Sequence, residues 1–139
     1  MTVRIVALED SPAKPWKNGG GLTHDLLAWP ADAGWRCRLS VAEVSRAGPF
    51  SPYPGVERWF SVVQGAGVLL DLAGQEQRLT VDSEPLCFDG GQPPGCELLG
   101  GPTLDLNLMV DTTAGHGQVA RAKAGQAWAS DAPLRGLFT

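Results

Sequence analysis

The sequence is poor in the residue types that bind metal ions or form disulfides. It has two histidines, His24 and His116, and neither has a second histidine or a carboxylate at ligand spacing, which argues against a metal site. The three cysteines, Cys37, Cys87 and Cys96, are odd in number and show no CxxC spacing, so neither a disulfide framework nor a zinc knuckle is indicated. We expect reduced thiols that are largely buried.

Long apolar runs and clusters of basic residues are also absent. No window approaches the roughly 18 apolar residues of a membrane span, and the N-terminus has no run long enough for a signal peptide, so we expect a cytoplasmic protein without membrane contact. The formal charge of −4 and the pI near 5.0 argue against binding of nucleic acid. The expected partners are small molecules or other proteins.

The sequence is rich in glycine, proline and alternating apolar residues. Its 139 residues fit one domain with a single core, and 18 Gly and 11 Pro are too many for a helical bundle. Alternation with a period of two predicts short strands, with turn signals about every ten residues and no helix. The predicted strands span 3–8, 23–29, 35–44, 57–64, 67–72, 77–81, 86–88, 96–99 and 103–110. This pattern is typical of an all-β sandwich or barrel.

The strand at 35–44 and the C-terminal segment carry further expectations. The alternation in 35–44 indicates a half-buried strand, with one apolar face and one face that carries the arginines. Residues 112–139 are rich in Ala and Gly, and large apolar residues return only near the end. We expect 112–139 to be a short extension of the domain formed by 1–111, consisting of a connection followed by an edge strand.

The stretch "PWKNGGGLT" at 15–23 contains three consecutive glycines. Successive glycine N–H groups can form a concave nest for an anionic oxygen, to which Lys17 would add charge and Asn18 an amide. A tight turn or a bulge explains the glycines equally well. The stretch is neither a Walker loop nor a GxGxxG motif.

The segment 48–70 resembles the first conserved motif of the cupin barrels, in which histidines and a glutamate bind a metal. Counting back from the glycine turn, the glutamate of that motif falls on Arg58 and the histidines fall near Ser51 and Tyr53. An arginine cannot ligate a cation, and its guanidinium stays charged at physiological pH. The resemblance therefore implies a site in which the metal ligands are replaced by a fixed positive charge.

Arg58 is expected to point into the mouth of the barrel. It shares a strand face with Phe60 and Val62, which are suited to a core. A buried guanidinium needs an anion, which could be a protein carboxylate such as Asp105 or Glu43, or the carboxylate of a ligand. An internal salt bridge or a solvent-exposed arginine are the alternatives.

Other polar residues could complete such a site. Asp105 and Asn107 share a strand face, which is either exposed to solvent or part of a polar patch in the pocket. Cys96 and Ser51 could be nucleophiles, but neither has a base nearby in the sequence, so no catalytic residue is assigned.

The order of the motifs resembles the HutD/Ves family of bacterial cupin-like proteins. The motifs are "PWKNGGGLT", "GPFSPYPGVERWF", "PLCFDGG" and "CELLGGPTLDLNLMV", and the match covers roughly residues 3 to 111. The resemblance implies a cupin barrel, jelly-roll-like and related to the bicupins with an abbreviated second half, of which 112–139 would be a remnant. It implies no metal and no cofactor. The ligand-binding residues that it implies are Trp16, Lys17, Asn18, Gly19, Gly20, Gly21, Phe50, Ser51, Tyr53, Arg58, Asp105 and Asn107.

The family also suggests a function. HutD is associated with histidine-utilisation operons and with binding of formylglutamate, and Ves with responses to cold and other stresses, while no enzymatic activity is securely attached to either. We therefore expect a cytoplasmic, non-catalytic binder of a small carboxylate. The alternatives are a metal-independent isomerase or hydrolase that uses Tyr53 or Cys96, and a structural or regulatory interaction module. A homodimer is expected because a short second half leaves strand edges uncovered.

Overall fold

The computed structural model describes residues 2–139, whose regular structure is almost entirely β. Besides a short 3-10 helix at Leu8–Asp10, these residues form nine strands. The strands are β1 (Ala13–Pro15), β2 (Gly21–Trp29), β3 (Cys37–Val44), β4 (Val56–Gln64), β5 (Val68–Leu72), β6 (Gln75–Leu79), β7 (Leu86–Asp89), β8 (Gly95–Leu98) and β9 (Thr103–Asp111). The all-β prediction is confirmed. No helix in the described part of the chain is long and apolar enough to cross a bilayer.

The strands form two antiparallel sheets with a shared core. The larger sheet has the order β1-β2-β3-β9-β4-β7, and the smaller one has the order β6-β5-β8. Side chains from both sheets meet in one buried apolar cluster, which contains Phe60 and Val62 of β4 and Val68 and Leu70 of β5. Burial of this cluster is the main stabilising contribution to the barrel.

The hairpin between β4 and β5 depends on a glycine, Gly67. Gly67 has φ +109°, and a Cβ at this position would collide with the carbonyl oxygen of Leu79 on the neighbouring strand. Only glycine has neither the steric penalty at this φ nor the Cβ. The turn that joins the two strands therefore forms where the chain needs a close backbone approach.

Eight of the nine predicted strands are found within about two residues of their expected bounds, and the strand at 3–8 is wrong. Residues 2–7 have no regular structure, and the side chains of Val3 and Ile5 are 77% and 92% exposed. Alternation favours a strand only where a neighbouring strand accepts its hydrogen bonds. The first strand, β1, is three residues long and ends in a proline, so its pattern is too short to be detected.

The expectation of a half-buried β3 is also wrong, because both faces of this strand are covered. Ser40 and Ala42 on the polar face are 3% and 5% exposed, and Val41 on the other face is fully buried. The polar face lines the barrel interior. The apolar face lies in a second cluster with Leu26 and Leu106, against which Leu8, Val119 and other half-buried side chains pack. A strand at the centre of a covered sheet is buried on both sides.

The C-terminal segment does not end in the expected edge strand. Residues 112–139 contain no strand, and most of their side chains are exposed. The segment contacts the barrel through Val119, which packs on the second cluster, and through Arg121, which donates hydrogen bonds to the carbonyl oxygens of Val81 and Ser83. The sparse large apolar residues of this segment give it little surface to bury.

The cysteines only partly follow the expectation of buried thiols. All three are free, but Cys96 is buried, Cys37 is half-buried and Cys87 is exposed. Cys87 lies on β7 at the edge of the larger sheet, where the outward face of the strand is open to solvent.

Candidate ligand site around Arg58

Arg58 lies inside the barrel, as its alternation with Phe60 and Val62 predicts. Its residue exposure is 5%, and it points to the same face of β4 as Phe60 and Val62, which are 1% and 3% exposed. Nη2 donates a hydrogen bond of 2.8 Å to Oδ1 of Asn107 on the neighbouring strand β9. Nε is buried and has no acceptor among residues 2–139. The structure therefore holds a buried guanidinium that its protein partners satisfy only in part.

No protein carboxylate neutralises Arg58 in the described part of the chain. The two salt bridges found there join Asp25 to Lys14 and to Arg38, so neither Asp105 nor Glu43 pairs with Arg58. Both alternatives considered from the sequence, an internal salt bridge and an exposed arginine, are therefore excluded by the geometry.

The electrostatics of the site reflect this lack of a counter-charge. Burial lowers the pKa of Arg58 to about 10; the Tyr53 phenol acts in the opposite direction, and repulsion from Arg38 lowers it further. The guanidinium remains charged at neutral pH. An uncompensated buried charge costs several kcal/mol, of the order found for broken buried ion pairs, unless another anion enters.

Three aromatic rings surround the guanidinium. Its central carbon lies 5.3 Å from the ring centroid of Phe50, 5.7 Å from that of Tyr53 and 5.2 Å from that of Phe88. Each ring face offers a weak cation–π attraction, worth about 0.5–2 kcal/mol depending on desolvation. The rings partly compensate the charge, but they present no acceptor to Nε.

The loop that carries Tyr53 is held in place by backbone contacts with Gly90. The N–H of Tyr53 donates to the carbonyl oxygen of Gly90, and the N–H of Gly90 donates to that of Val56. A Cβ at Gly90 would lie 2.8 Å from the Tyr53 oxygen and 2.7 Å from the Val56 oxygen, so only glycine fits. The loop that carries Tyr53 is thereby fixed over Arg58.

A second arginine lies on the same interior row. Arg38 of β3 and Arg58 of β4 both pair with Met109 of the strand between them, so their Cα atoms lie about 10 Å apart, two strand spacings. Asp25 on β2 binds Arg38 through Oδ1, at 2.8 Å from Nε and 2.7 Å from Nη2. Its other oxygen accepts a 2.9 Å hydrogen bond from Lys14.

Three residues near the guanidinium, Asp25, Arg38 and Phe88, were not expected from the sequence. Arg38 had been placed on the polar face of β3, and the signal that could have found it was that this face also carries small side chains, Ser40 and Ala42, as an interior row would. Asp25 and Phe88 come from strands with no such pattern.

Asp105 occupies a separate, deeper part of the interior. It is fully buried, and its Oδ2 accepts a 2.8 Å hydrogen bond from the Thr103 hydroxyl, while Oδ1 has no partner among the described residues. Burial raises its pKa to about 7, against which the Thr103 hydrogen bond acts. Nearby Cys96 is 3% exposed, and burial, with Asp105 and Glu97, raises the pKa of its thiol to about 12. That thiol is unsuited to nucleophilic catalysis.

The triple-glycine loop is a tight turn between β1 and β2, and the anion nest is not formed at Gly19 and Gly20. The N–H of Gly19 donates to the Trp16 carbonyl, and that of Gly20 donates to Oδ1 of Asn18. The carbonyl of Gly19 accepts a 2.6 Å hydrogen bond from Arg46. These amide donors are therefore already used within the turn.

The structure gathers only some of the twelve expected site residues. Asn107, Phe50 and Tyr53 contact Arg58, and Trp16 joins them indirectly by an edge-to-face contact with Phe50, with 6.2 Å between centroids. The remainder lie elsewhere: Lys17 and Ser51 are exposed, the loop residues Asn18 and Gly19–Gly21 form the turn, and Asp105 is at the deeper end.

No group of three or more His, Cys, Asp or Glu side chains comes together as a metal site among residues 2–139.

Two shallow grooves are present on the surface, of about 320 and 400 Å³. Neither is lined by Arg58, although Phe88 borders the second. We place the chemistry at Arg58 rather than in these grooves because the unpaired charge lies there. Tyr53, which is half-buried, is the ring on the solvent side.

The architecture of the two sheets is that of a cupin barrel. A cupin domain of an XRE-family transcriptional regulator from Enterobacter cloacae has the same fold, with a TM-score of 0.55 and 17% identity, covering 66% of this chain and 96% of that one. The cupin prediction is confirmed.

Within the cupins, the chain belongs to the HutD family, whose model matches residues 8–137. An uncharacterized 21.2 kDa protein from the hutC 3′ region of Pseudomonas putida is 35% identical over 109 residues, which cover 77% of this chain and 57% of that protein. Protein Ves of Cronobacter sakazakii is 31% identical over 100 residues, which cover 71% and 55%.

A solved structure extends the comparison. HutD from Pseudomonas fluorescens SBW25, determined in a formate condition, is 34% identical with a TM-score of 0.72, and the match covers 76% of this chain and 59% of that one. The chain thus spans somewhat more than half the length of these relatives.

Proposed function

We propose that this protein binds a small carboxylate metabolite of the formylglutamate type, with the carboxylate at Arg58. The carrying observation is that Arg58 is 5% exposed, charged at neutral pH and without a carboxylate partner among the described residues. The role would be that of a non-catalytic accessory protein or sensor in the cytoplasm, in histidine utilisation or in a stress response.

The donor geometry supports a carboxylate as the ligand. Nη2 is already bonded to Asn107, whereas Nε lacks an acceptor, so a carboxylate oxygen at Nε would satisfy the remaining buried donor. A charge-assisted arginine–carboxylate contact in a dry site is worth about 2–4 kcal/mol. The surrounding rings exclude water and so strengthen the interaction.

The names of two relatives support the part of the proposal that concerns histidine utilisation. One is a protein from the hutC 3′ region of Pseudomonas putida, and a solved relative is the HutD of Pseudomonas fluorescens SBW25. Since this chain spans 57% and 59% of these two relatives, their pathway is part of the proposal for this chain.

The enzyme alternative has weaker support. The thiol of Cys96, one of its two candidate groups, is buried with a strongly raised pKa. Tyr53 faces the guanidinium, but no histidine lies in the site to act as its base, among the contacts described for it.

We also propose a homodimer. The outer strands β1 and β7 of the larger sheet, and β6 and β8 of the smaller one, each have one side without a strand partner in the described residues. Such edges favour pairing with another chain. Sedimentation velocity at micromolar concentration should show a dimer, and a stable monomer would contradict this proposal.

Titration calorimetry with formylglutamate, with formate as the minimal carboxylate, tests the binding function. Wild-type protein should bind formylglutamate, and Arg58→Ala should weaken binding by about 30-fold or more, equivalent to about 2 kcal/mol. Arg78→Ala is the matched control, because Arg78 is an exposed arginine on β6. Absence of binding to either carboxylate, or equal affinity in Arg58→Ala, would refute the proposal.

A further inference from the structure

The two interior arginines differ in whether a carboxylate lies beside them. Arg38 contacts the carboxylate of Asp25 with both Nε and Nη2, whereas Arg58 contacts only the neutral amide oxygen of Asn107. Burial would lower the pKa of Arg38, but the hydrogen bond and charge of Asp25, with a smaller effect of Tyr53, raise it. The two guanidiniums lie on one row with Tyr53 close enough to affect both.

The position of Asp25 explains why Arg38 has a carboxylate partner and Arg58 has none. Its side chain is 22% exposed and that of Arg38 is 18% exposed, so the ion pair lies at the border of the interior. Both carboxylate oxygens of Asp25 are occupied, one by Arg38 and one by Lys14, whose side chain is 67% exposed. These contacts fix the orientation of the carboxylate, and among the described residues Asp25 forms no ion pair with Arg58.

The charge balance of the interior follows directly. Lys14 also binds Asp25, but its ammonium is exposed and screened by solvent, so within the interior the carboxylate of Asp25 is the counter-charge of Arg38, while Arg58 has no carboxylate partner among the described residues. A second anionic group placed beside Arg38 would meet a cation that is already paired and the like charge of Asp25. It would lose hydration without gaining an unpaired cation.

We propose that Asp25 is a specificity-determining residue, which limits the ligand to one carboxylate inside the barrel by keeping Arg38 paired beside the unpaired Arg58. The part of the ligand that lies near Arg38 is then polar and uncharged. A formylglutamate-like compound fits if its second carboxylate stays in solvent near Lys14. This inference rests on the proposed binding function and adds a rule for ligand charge.

Two compounds that differ by one charge test this rule. Glutarate has two carboxylates, and its monoamide, glutaramate, has the same skeleton with one of them replaced by a neutral amide. Titration calorimetry at fixed pH and ionic strength gives the ratio of the two dissociation constants. Wild-type protein should bind glutaramate at least as tightly as glutarate. In Asp25→Asn the ratio should shift toward glutarate by about tenfold, equivalent to about 1.4 kcal/mol, because Arg38 is then unpaired.

The matched control is Asp32→Asn, which removes the same charge from an exposed position. Its ratio should equal that of wild type, and an equal shift in Asp32→Asn would overturn the role of Asp25, since the effect would then be one of net charge. If Asp25→Asn does not fold, Lys14→Gln tests the same balance with the opposite sign. Its ratio should shift toward glutaramate by about twofold, because this cation is exposed and screened; no shift, or a shift toward glutarate, would count against the rule.

The outcomes separate this inference from the binding function. If both compounds bind, Arg58→Ala weakens both, and Asp25→Asn keeps the wild-type ratio, then only the role of Asp25 is overturned. If neither compound nor formylglutamate binds wild-type protein, the binding function itself fails, and the charge rule fails with it.

Discussion

The barrel interior buries a cation at one end and a carboxyl group at the other, and the two ends compensate the burial differently. Arg58 lies four residues before Val62 on β4, and Val62 pairs with Asp105, so the two groups are separated by about 13 Å along the strand direction. At that distance they form no ion pair. Each group has one buried polar atom without a partner in the part of the chain that the structure describes.

The difference lies in the chemistry of the two side chains. Asp105 can take up a proton, and its pKa of about 7 means that the neutral form is accessible near physiological pH. Arg58 keeps its charge, since its pKa of about 10 is still well above neutrality. A buried acid can therefore be accommodated by protonation, whereas a buried guanidinium depends on an external anion. That contrast is the reason why the proposed ligand site lies at the Arg58 end.

The largest expected effect concerns Asp105 and pH. Because its pKa is raised from 3.8 in the unfolded chain to about 7 in the folded protein, the unfolded state loses its proton first. The contribution of this group to the free energy of unfolding is greatest below pH 4, falls between about pH 4 and 7, and is constant at higher pH. The total fall is about 4 kcal/mol in order of magnitude. Urea unfolding at pH 4.5 and 7.5 should show that the free energy of unfolding falls less between the two pH values in Asp105→Asn than in wild type. An equal fall in both proteins would mean that Asp105 is ionised in the folded protein without this cost.

The second effect tests the unpaired cation directly. Arg58→Met replaces the buried charge with an apolar chain of similar length, and it should stabilise the ligand-free protein by about 1–2 kcal/mol, since uncompensated buried ions are costly. Urea unfolding should also show that formylglutamate no longer stabilises the variant. A loss of more than about 2 kcal/mol would instead indicate that Arg58 holds the fold together, through Asn107 and the rings.

A smaller effect measures the aromatic compensation that the Asp105 end lacks. Phe88→Leu removes one of the three rings over Arg58 while keeping an apolar side chain. A double-mutant cycle with Arg58→Met should give a coupling of about 0.5–1 kcal/mol in the free energy of unfolding. Phe60→Leu with Arg58→Met is the control, because no cation–π contact joins that pair among the described residues, and equal coupling in both cycles would contradict a specific ring contribution.

The smallest effect is expected in the glycine loop. Lys17→Gln should leave the affinity for formylglutamate within about twofold of wild type, because an exposed lysine in a self-contained turn adds little to binding. Titration calorimetry of Lys17→Gln and Arg58→Ala under the same conditions gives the two dissociation constants for formylglutamate. A loss of affinity in Lys17→Gln as large as that in Arg58→Ala would mean that the glycine loop belongs to the ligand site.

Much of the fold could be predicted from local patterns, and less of the site could. Alternation along β4 placed Arg58, Phe60 and Val62 on one face, and the same rule put Asp105 and Asn107 together on β9. Local patterns did not show that Asn107 reaches Arg58 while Asp105 does not, since that depends on the register between β4 and β9.

Other features failed because they depend on what covers a strand. The polar face of β3 was expected to be the uncovered one, yet it forms the interior row with Arg38 and Ser40, because strands on both sides and a second sheet close over it. The alternation at 3–8 gave a strand prediction without a partner strand. Asp25 acquires its role from Arg38, thirteen residues away in sequence, and no spacing rule links the two.

Local patterns in the amino-acid sequence are enough to give the β class of the fold and a permanent positive charge at position 58. Short alternating segments with frequent glycine and proline are suited to burying their apolar side chains in a β architecture, and an arginine is not neutralised by losing a proton near neutral pH. Which charges are paired depends on the folded structure. Ion pairing depends on distances of a few ångströms between strands far apart in the chain, and it left Arg38 with Asp25 and Arg58 with none.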